Sequence, residues 1–147
     1  MKVSAKKFAL VISSLLLLGS CGKSEADVGK DKSPEKMNDN PVVVSTFPAN
    51  GAISVNPAIT SVMVSFSVPM MDKSWSFVKE SDDNFPHEIG TPSFDKSFKT
   101  ITLPVKIKPS KKYTIWINSD KFKNFKSKTG KVLPPYKLVF TTGKPKK

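Results

Sequence analysis

The sequence predicts an all-β domain, an antiparallel β-sandwich of about seven strands, and three observations carry that prediction. Four stretches alternate apolar and polar residues with period two: Val62 to Val68, Ile101 to Ile107, Tyr113 to Asn118 and Tyr136 to Thr141. Such alternation sends one row of side chains into a core and the other toward solvent. Twelve prolines stand against seven glycines, which favours short strands and turns over long helices. Finally, Pro109 and Ser110 supply turn chemistry just before a run of β-branched and aromatic residues from Tyr113 to Ile117, so this stretch reads as a loop entering a strand. The 147 residues leave room for one ordinary domain, and 38% hydrophobic residues predict a thin core.

Taken in order, the chain opens with Lys2, Lys6 and Lys7, followed by an apolar run from Phe8 to Leu18 broken only by Ser13 and Ser14. That run is about half the roughly 20 residues needed to cross a bilayer, so it reads as the hydrophobic region of a signal peptide. Leu18-Gly19-Ser20-Cys21 resembles a bacterial lipobox. The resemblance implies that residues 1–20 are a lipoprotein signal peptide and that Cys21 carries the lipid, a diacylglyceryl thioether with palmitate-type acyl chains. The expected location is the cell membrane or outer membrane, lipid-anchored and facing the periplasm or the exterior. By analogy with sorting rules, Gly22 after the cysteine leans toward the outer membrane. Cys21 is the single cysteine, so no intrachain disulfide is available and the fold rests on packing and ladder hydrogen bonds. Residues 21–41 are polar and mixed in charge. They cannot bury enough surface to offset ordering entropy and are expected to form a flexible tether.

The domain is expected over residues 42–143. Val42 to Phe47 is a first strand whose face is ambiguous, because both phases carry apolar residues. Pro48 to Gly51 and Val55-Asn56-Pro57 are turns, and Gly51 suits a positive φ. Val62, Val64, Phe66 and Val68 form the inward row of the next strand, which Pro69 ends. Ser74 to Val78 is expected as a strand with Trp75 and Phe77 on one face. Phe85 to Phe94, with two prolines and Gly90, is at most a short edge strand plus loop. In the Ile101–Ile107 strand, Pro104 predicts an edge position or a bulge. The Tyr113 strand should turn Thr114, Trp116 and Asn118 outward. Asp120 to Pro135 is a long basic loop holding Phe122 and Phe125. Tyr136, Leu138 and Phe140 define the last strand, and residues 144–147 a frayed basic tail.

The pattern Ile107-x-Pro109-x-x-x-Tyr113 resembles the tyrosine corner of immunoglobulin-like and fibronectin-type sandwiches, which implies that the Tyr113 hydroxyl bonds to backbone a few residues upstream. Pro48, Asn50, Gly51, Ala52, Val55, Phe66, Ser67, Pro69 and Met70, then Pro109 and Tyr113, then Phe140-Thr141-Thr142-Gly143 together resemble the bacterial Ig-like domain of the SbsA S-layer type. The resemblance implies an Ig-like sandwich in a structural or adhesive module without a common ligand, so fold alone does not settle function.

Residues for catalysis are sparse. His87 is the single histidine and reads as a solvated loop residue, so neither a His-based metal site nor a Ser-His relay has material to draw on. Asp82, Asp83 and Asn84 lack the spaced acids of a calcium loop. No catalytic residue, metal or cofactor is expected. Charge is more informative. The chain has no arginine. From Cys21 to Asp95 six lysines face eleven acids, whereas from Lys96 onward fifteen lysines face only Asp120. That basic half reads either as solvation or as contact with an anionic envelope polymer or headgroup, for which lysine suits diffuse attraction. The exported address and the lack of arginine disfavour nucleic acid. Trp75, Trp116, Phe122 and Phe125, with Lys121, Lys123 and Lys126 beside them, are the candidate ligand-binding residues. They would make an aromatic platform for an envelope glycan or another protein. The competing reading folds the loop back over Trp116, with Phe122 and Phe125 as a satellite core.

Overall fold

The computed structural model describes residues 39–145; the signal segment, Cys21, most of the expected tether and the last two lysines lie outside them. Eight strands form, with no helix among the described residues: β1 (Val43–Phe47), β2 (Ser61–Phe66), β3 (Phe77–Val78), β4 (His87–Glu88), β5 (Ser93–Phe94), β6 (Thr100–Lys106), β7 (Lys112–Ile117) and β8 (Tyr136–Thr141). All ladders between them are antiparallel. One sheet runs β1-β2-β6, with β4 and β5 both pairing the far side of β6; the other runs β3-β7-β8. The count exceeds the expected seven because the stretch from Phe85 to Phe94 yields two two-residue strands instead of one. The expected Ser74–Val78 strand shrinks to β3.

Period-two alternation places the core. Val62, Val64 and Phe66 from β2 and Ile101, Leu103 and Val105 from β6 meet Tyr113, Ile115 and Ile117 from β7 and Leu138 and Phe140 from β8. β-branched and aromatic side chains suit this pleated, half-buried surface. The tyrosine corner forms: the Lys108 amide donates to the Tyr113 hydroxyl at 2.7 Å. Buried Thr142 ties the same turn, its hydroxyl donating to the Lys108 carbonyl at 2.7 Å and accepting from the Lys111 amide at 2.9 Å.

Pro104 corrects one expectation, since β6 is an inner strand. The Val105 amide donates toward β2, to the Thr60 carbonyl, while the Pro104 carbonyl accepts from Ile89 on the opposite side. Alternation along the strand therefore turns the donor-less nitrogen of Pro104 toward that opposite side. It falls where the partner of β6 changes from β5, opposite Ile101 and Thr102, to β4, opposite Val105 and Lys106. No ladder bond is lost there, so an inner strand tolerates the proline.

The outer edge of β8 is covered. Gly51, at φ +81°, donates its amide to the Val139 carbonyl. Ala52 and Val55 bond to Thr141, and the Asn50 side chain bonds Val139 and Lys137. The turn residues seen in the sequence thus lie along the strand as a parallel flap. At the opposite edge of the larger sheet, β1 carries a bulge between Val43 and Ser45.

Candidate functional site

The β7–β8 connection, Asn118 to Pro135, builds the surface on which the candidate residues stand. It is anchored by Asn118, which sits at φ +60°, a conformation asparagine tolerates better than most residues. Contrary to the outward expectation, Asn118 is buried. Its amide group donates to the carbonyls of Phe125 and Leu133 at 3.0 and 2.8 Å, and its oxygen accepts from the Phe125 amide at 2.9 Å. The positive φ ends the strand's alternation and turns the side chain inward, where it replaces the ladder bonds the loop lacks. Thr114, also expected outside, is buried as well.

Held by Asn118, Phe125 drops into the core at 0% exposure, with Phe66 at 5.5 Å and Phe77 edge-on at 5.2 Å between ring centroids. It is therefore a packing residue and not part of an exposed platform. The loop then forms a hairpin closed by Gly130 at φ +85° and lies against the chain after β2, with Met71 donating to the Lys126 carbonyl and Lys128 to that of Pro69. Lys126 is half-buried along this contact.

The first part of the loop stays outside. The Ser119 amide donates to the Phe122 carbonyl and the Ser119 hydroxyl accepts from the Phe122 amide, making a tight turn. That turn leaves Phe122 54% exposed, with exposed Lys121 and Lys123 on either side. The next residues are fastened to the segment before β3, where the Asn124 amide donates to the Ser76 hydroxyl at 3.1 Å. Phe122 thereby meets half-buried Trp75 along a groove of about 520 Å³ that also touches Phe77, Val78, Pro92 and Asn124.

Trp116 stands apart from that groove. It lies across from Val78 on β3 and Lys137 on β8. The Lys137 ammonium sits 5.3 Å from its ring centroid and 2.8 Å from the Glu80 carboxylate. This capping half-covers the ring and holds the Glu80 carboxyl below its ordinary range, chiefly through the hydrogen bond from Lys137. The structure therefore brings Trp75 and Phe122 together, moves Trp116 to a neighbouring depression beside Pro135, and takes Phe125 into the core. Asn118 is the residue that sequence reasoning missed. An asparagine closing a strand just before a long loop was the available signal.

His87 is exposed on β4, and Asp82 pairs with Lys79 at 3.0 Å. Among the described residues no group of three His, Cys, Asp or Glu side chains converges as metal ligands would.

Comparison with known proteins adds the following. A family model described as the bacterial Ig-like domain matches residues 37–142. Two solved structures of the S-layer protein SbsC, rSbsC(31-844) and domains 1–6, each align over 73% of this chain at 20% identity, with a TM-score of 0.47. This chain spans 14% of the length of those SbsC chains. CopC from Methylosinus trichosporium OB3b aligns at 13% identity with a TM-score of 0.54, over 74% of this chain and 98% of CopC, a likeness of fold. No curated protein sequence matches.

Proposed function

The chain belongs to the bacterial Ig-like domain family, and from that premise we propose that it is a non-catalytic lipoprotein of the bacterial envelope, held by Cys21 and presenting one Ig-like domain for a structural or adhesive role. The observation that carries the reading is the family match over a sandwich whose interior is filled by its own side chains. The site-bearing surface is then the loops and outer faces, which suits holding a partner better than transforming a substrate. The lipobox resemblance at Leu18 to Cys21 supports the anchor, and residues 21–41 serve as the spacer.

Expression of the full chain in a bacterial host with a labelled palmitate precursor tests the anchor. Label is expected in the wild type and absent from Cys21→Ala, which should no longer acquire the lipid. An unlabelled wild-type chain with a free thiol at Cys21 would overturn the anchor.

A second reading is favoured by one feature, the groove between Trp75 and Phe122. Two aromatic rings beside polar groups can hold a sugar by apolar contact with hydrogen bonds at the rim. This reading makes the domain an accessory glycan-binding module. Saturable binding across an envelope-glycan panel, weakened at least roughly tenfold by Phe122→Ala, would support it; absence of binding to every glycan would dismiss it.

A further inference from the structure

The strand pairings place three connections at one end of the sandwich. Val43 at the start of β1 lies opposite Phe66 at the end of β2, and Ser65 lies opposite Thr100 at the start of β6. The β7–β8 loop joins the same end, because Ser127 bridges to Met70. The chain enters there too: the Val42 amide donates to the Ser67 hydroxyl at 3.1 Å, and the Ser67 amide donates to the Val42 carbonyl at 3.0 Å. The end that receives the N-terminal segment is therefore also the end of the β5–β6 turn and the β7–β8 loop; the lysines of the opposite end, Lys106, Lys108, Lys111 and Lys112, stand beside Glu80, Asp82, Asp83 and Glu88.

That end has the makings of a membrane-facing surface. Lys96 and Lys99 stand on the β5–β6 turn, and Lys121, Lys123, Lys126 and Lys128 on the β7–β8 loop. None of the six is in either of the two ion pairs found among the described residues, Lys79–Asp82 and Lys137–Glu80. Of the acids nearby, Asp95 is engaged with the Ser97 hydroxyl and the Lys99 and Thr100 amides, and Asp72 accepts from the Lys73 amide. These donors are neutral, so Asp39, Asp72, Asp95 and Asp120 all keep their charge; with exposed Lys73 and Lys131 the same end carries eight lysines against these four acids. Exposed Phe122 and Val132 lie in the β7–β8 loop among these charges, and exposed Met71 lies in the chain after β2, bonded to Lys126. A cleft of about 480 Å³ opens where the chain enters, lined by Asp39, Ser67, Pro69, Lys99, Lys128 and Thr129. The Lys128 ammonium is seated 4.0 Å from the Phe98 ring centroid.

We propose that this end of the sandwich rests on an anionic lipid surface, with Lys99 and Lys128 taking a headgroup phosphate at the cleft and Phe122 settling at the interface. Unpaired lysines are drawn to an anionic leaflet, and apolar side chains between them partition into the headgroup region. The inference rests on the Cys21 reading for one point, which end faces the membrane. Cys21 stands eighteen residues before Asp39, a connection of at most about 60–65 Å even when fully extended, and it is this end of the domain that the connection reaches first.

The test uses the full chain, purified from a bacterial host and mixed with vesicles of phosphatidylcholine alone or with about one third phosphatidylglycerol, read by amide hydrogen exchange. Residues 96–99 and 119–131 are expected to exchange at least roughly threefold more slowly on anionic than on neutral vesicles. About 0.5 M salt and the double substitution Lys99→Glu with Lys128→Glu should each remove that difference. Both lysines are exposed, so unchanged exchange in β6 and β7 verifies that the variant is folded. Equal exchange on both vesicles overturns the proposal, as does protection confined to residues 79–83 and 108–111 at the opposite end. Protection of the basic end by a soluble anionic polysaccharide on neutral vesicles, without protection by anionic lipid, also overturns it in favour of a polymer partner. Flotation with neutral vesicles reports the anchor separately. A chain that fails to float defeats the anchor, while its exchange with and without anionic vesicles still decides the docking.

Discussion

Phe122 and Phe125 stand three residues apart in one connection and end in opposite environments. Phe125 is enclosed between Phe66 and Phe77, whereas Phe122 projects from a turn closed by Ser119. Both belong to a polar, lysine-rich stretch, so composition does not separate them. What separates them is Asn118, whose three side-chain hydrogen bonds all go to the second half of the loop, at Phe125 and Leu133. A long connection is thus divided by one side chain into a part that completes the core and a part free to meet a partner.

The sharpest way to break this comparison is Phe125→Ala, which empties a fully buried aromatic site. It is expected to cost about 3–5 kcal/mol in urea unfolding; a loss under about 1 kcal/mol would mean the loop's second half is not core. Asn118→Ala comes next. It leaves the Phe125 amide and the Leu133 carbonyl without their Asn118 partner, while the Phe125 carbonyl keeps the Leu133 amide, for an expected loss of about 2–3 kcal/mol. Exchange should quicken at the Phe125 amide while the Ser119–Phe122 turn stays as it was. A smaller, pH-dependent effect belongs to a different connection, the β5–β6 turn. There the hydrogen bond from Ser97, followed by those from the Thr100 and Lys99 amides, holds the Asp95 carboxyl below its ordinary range. A depressed carboxylate contributes stability that is complete above its unfolded pKa of about 4 and is lost as pH falls through the lower folded value. Relative to Asp95→Asn, the wild type should therefore be the more stable at neutral pH, and the gap should close as pH drops below about 4. Urea midpoints measured across that range check it. The smallest effect is Phe122→Ala, expected within about 0.5 kcal/mol of wild type in the same unfolding measurement.

Much of the sandwich was readable from residue pattern. The four alternating stretches became β2, β6, β7 and β8, and the resemblance of Ile107 to Tyr113 to a tyrosine corner correctly anticipated a hydroxyl bonded to upstream backbone. Failures came where a long-range contact overrode a local rule. Pro104 is tolerated in an inner strand because two short partners leave a gap beside its nitrogen. Thr114 and Asn118 are in the outward phase yet buried, because neighbouring segments cover one and a left-handed backbone turns the other. The candidate residues scattered for the same reason. Trp75 and Phe122 converge only because Asn124 is tied to Ser76, across a separation in sequence that no periodicity reports.

The flap from Gly51 to Val55 along β8 has a consequence beyond the single molecule. An uncovered border strand invites a second chain to extend the ladder, and the flap removes that invitation from the β8 border of the smaller sheet, while the bulge in β1 disrupts the regular template at one border of the larger one. The remaining borders, β3, β4 and β5, are two residues long each, so crowded copies of such a domain find no long regular ladder to extend, which works against growth into fibres.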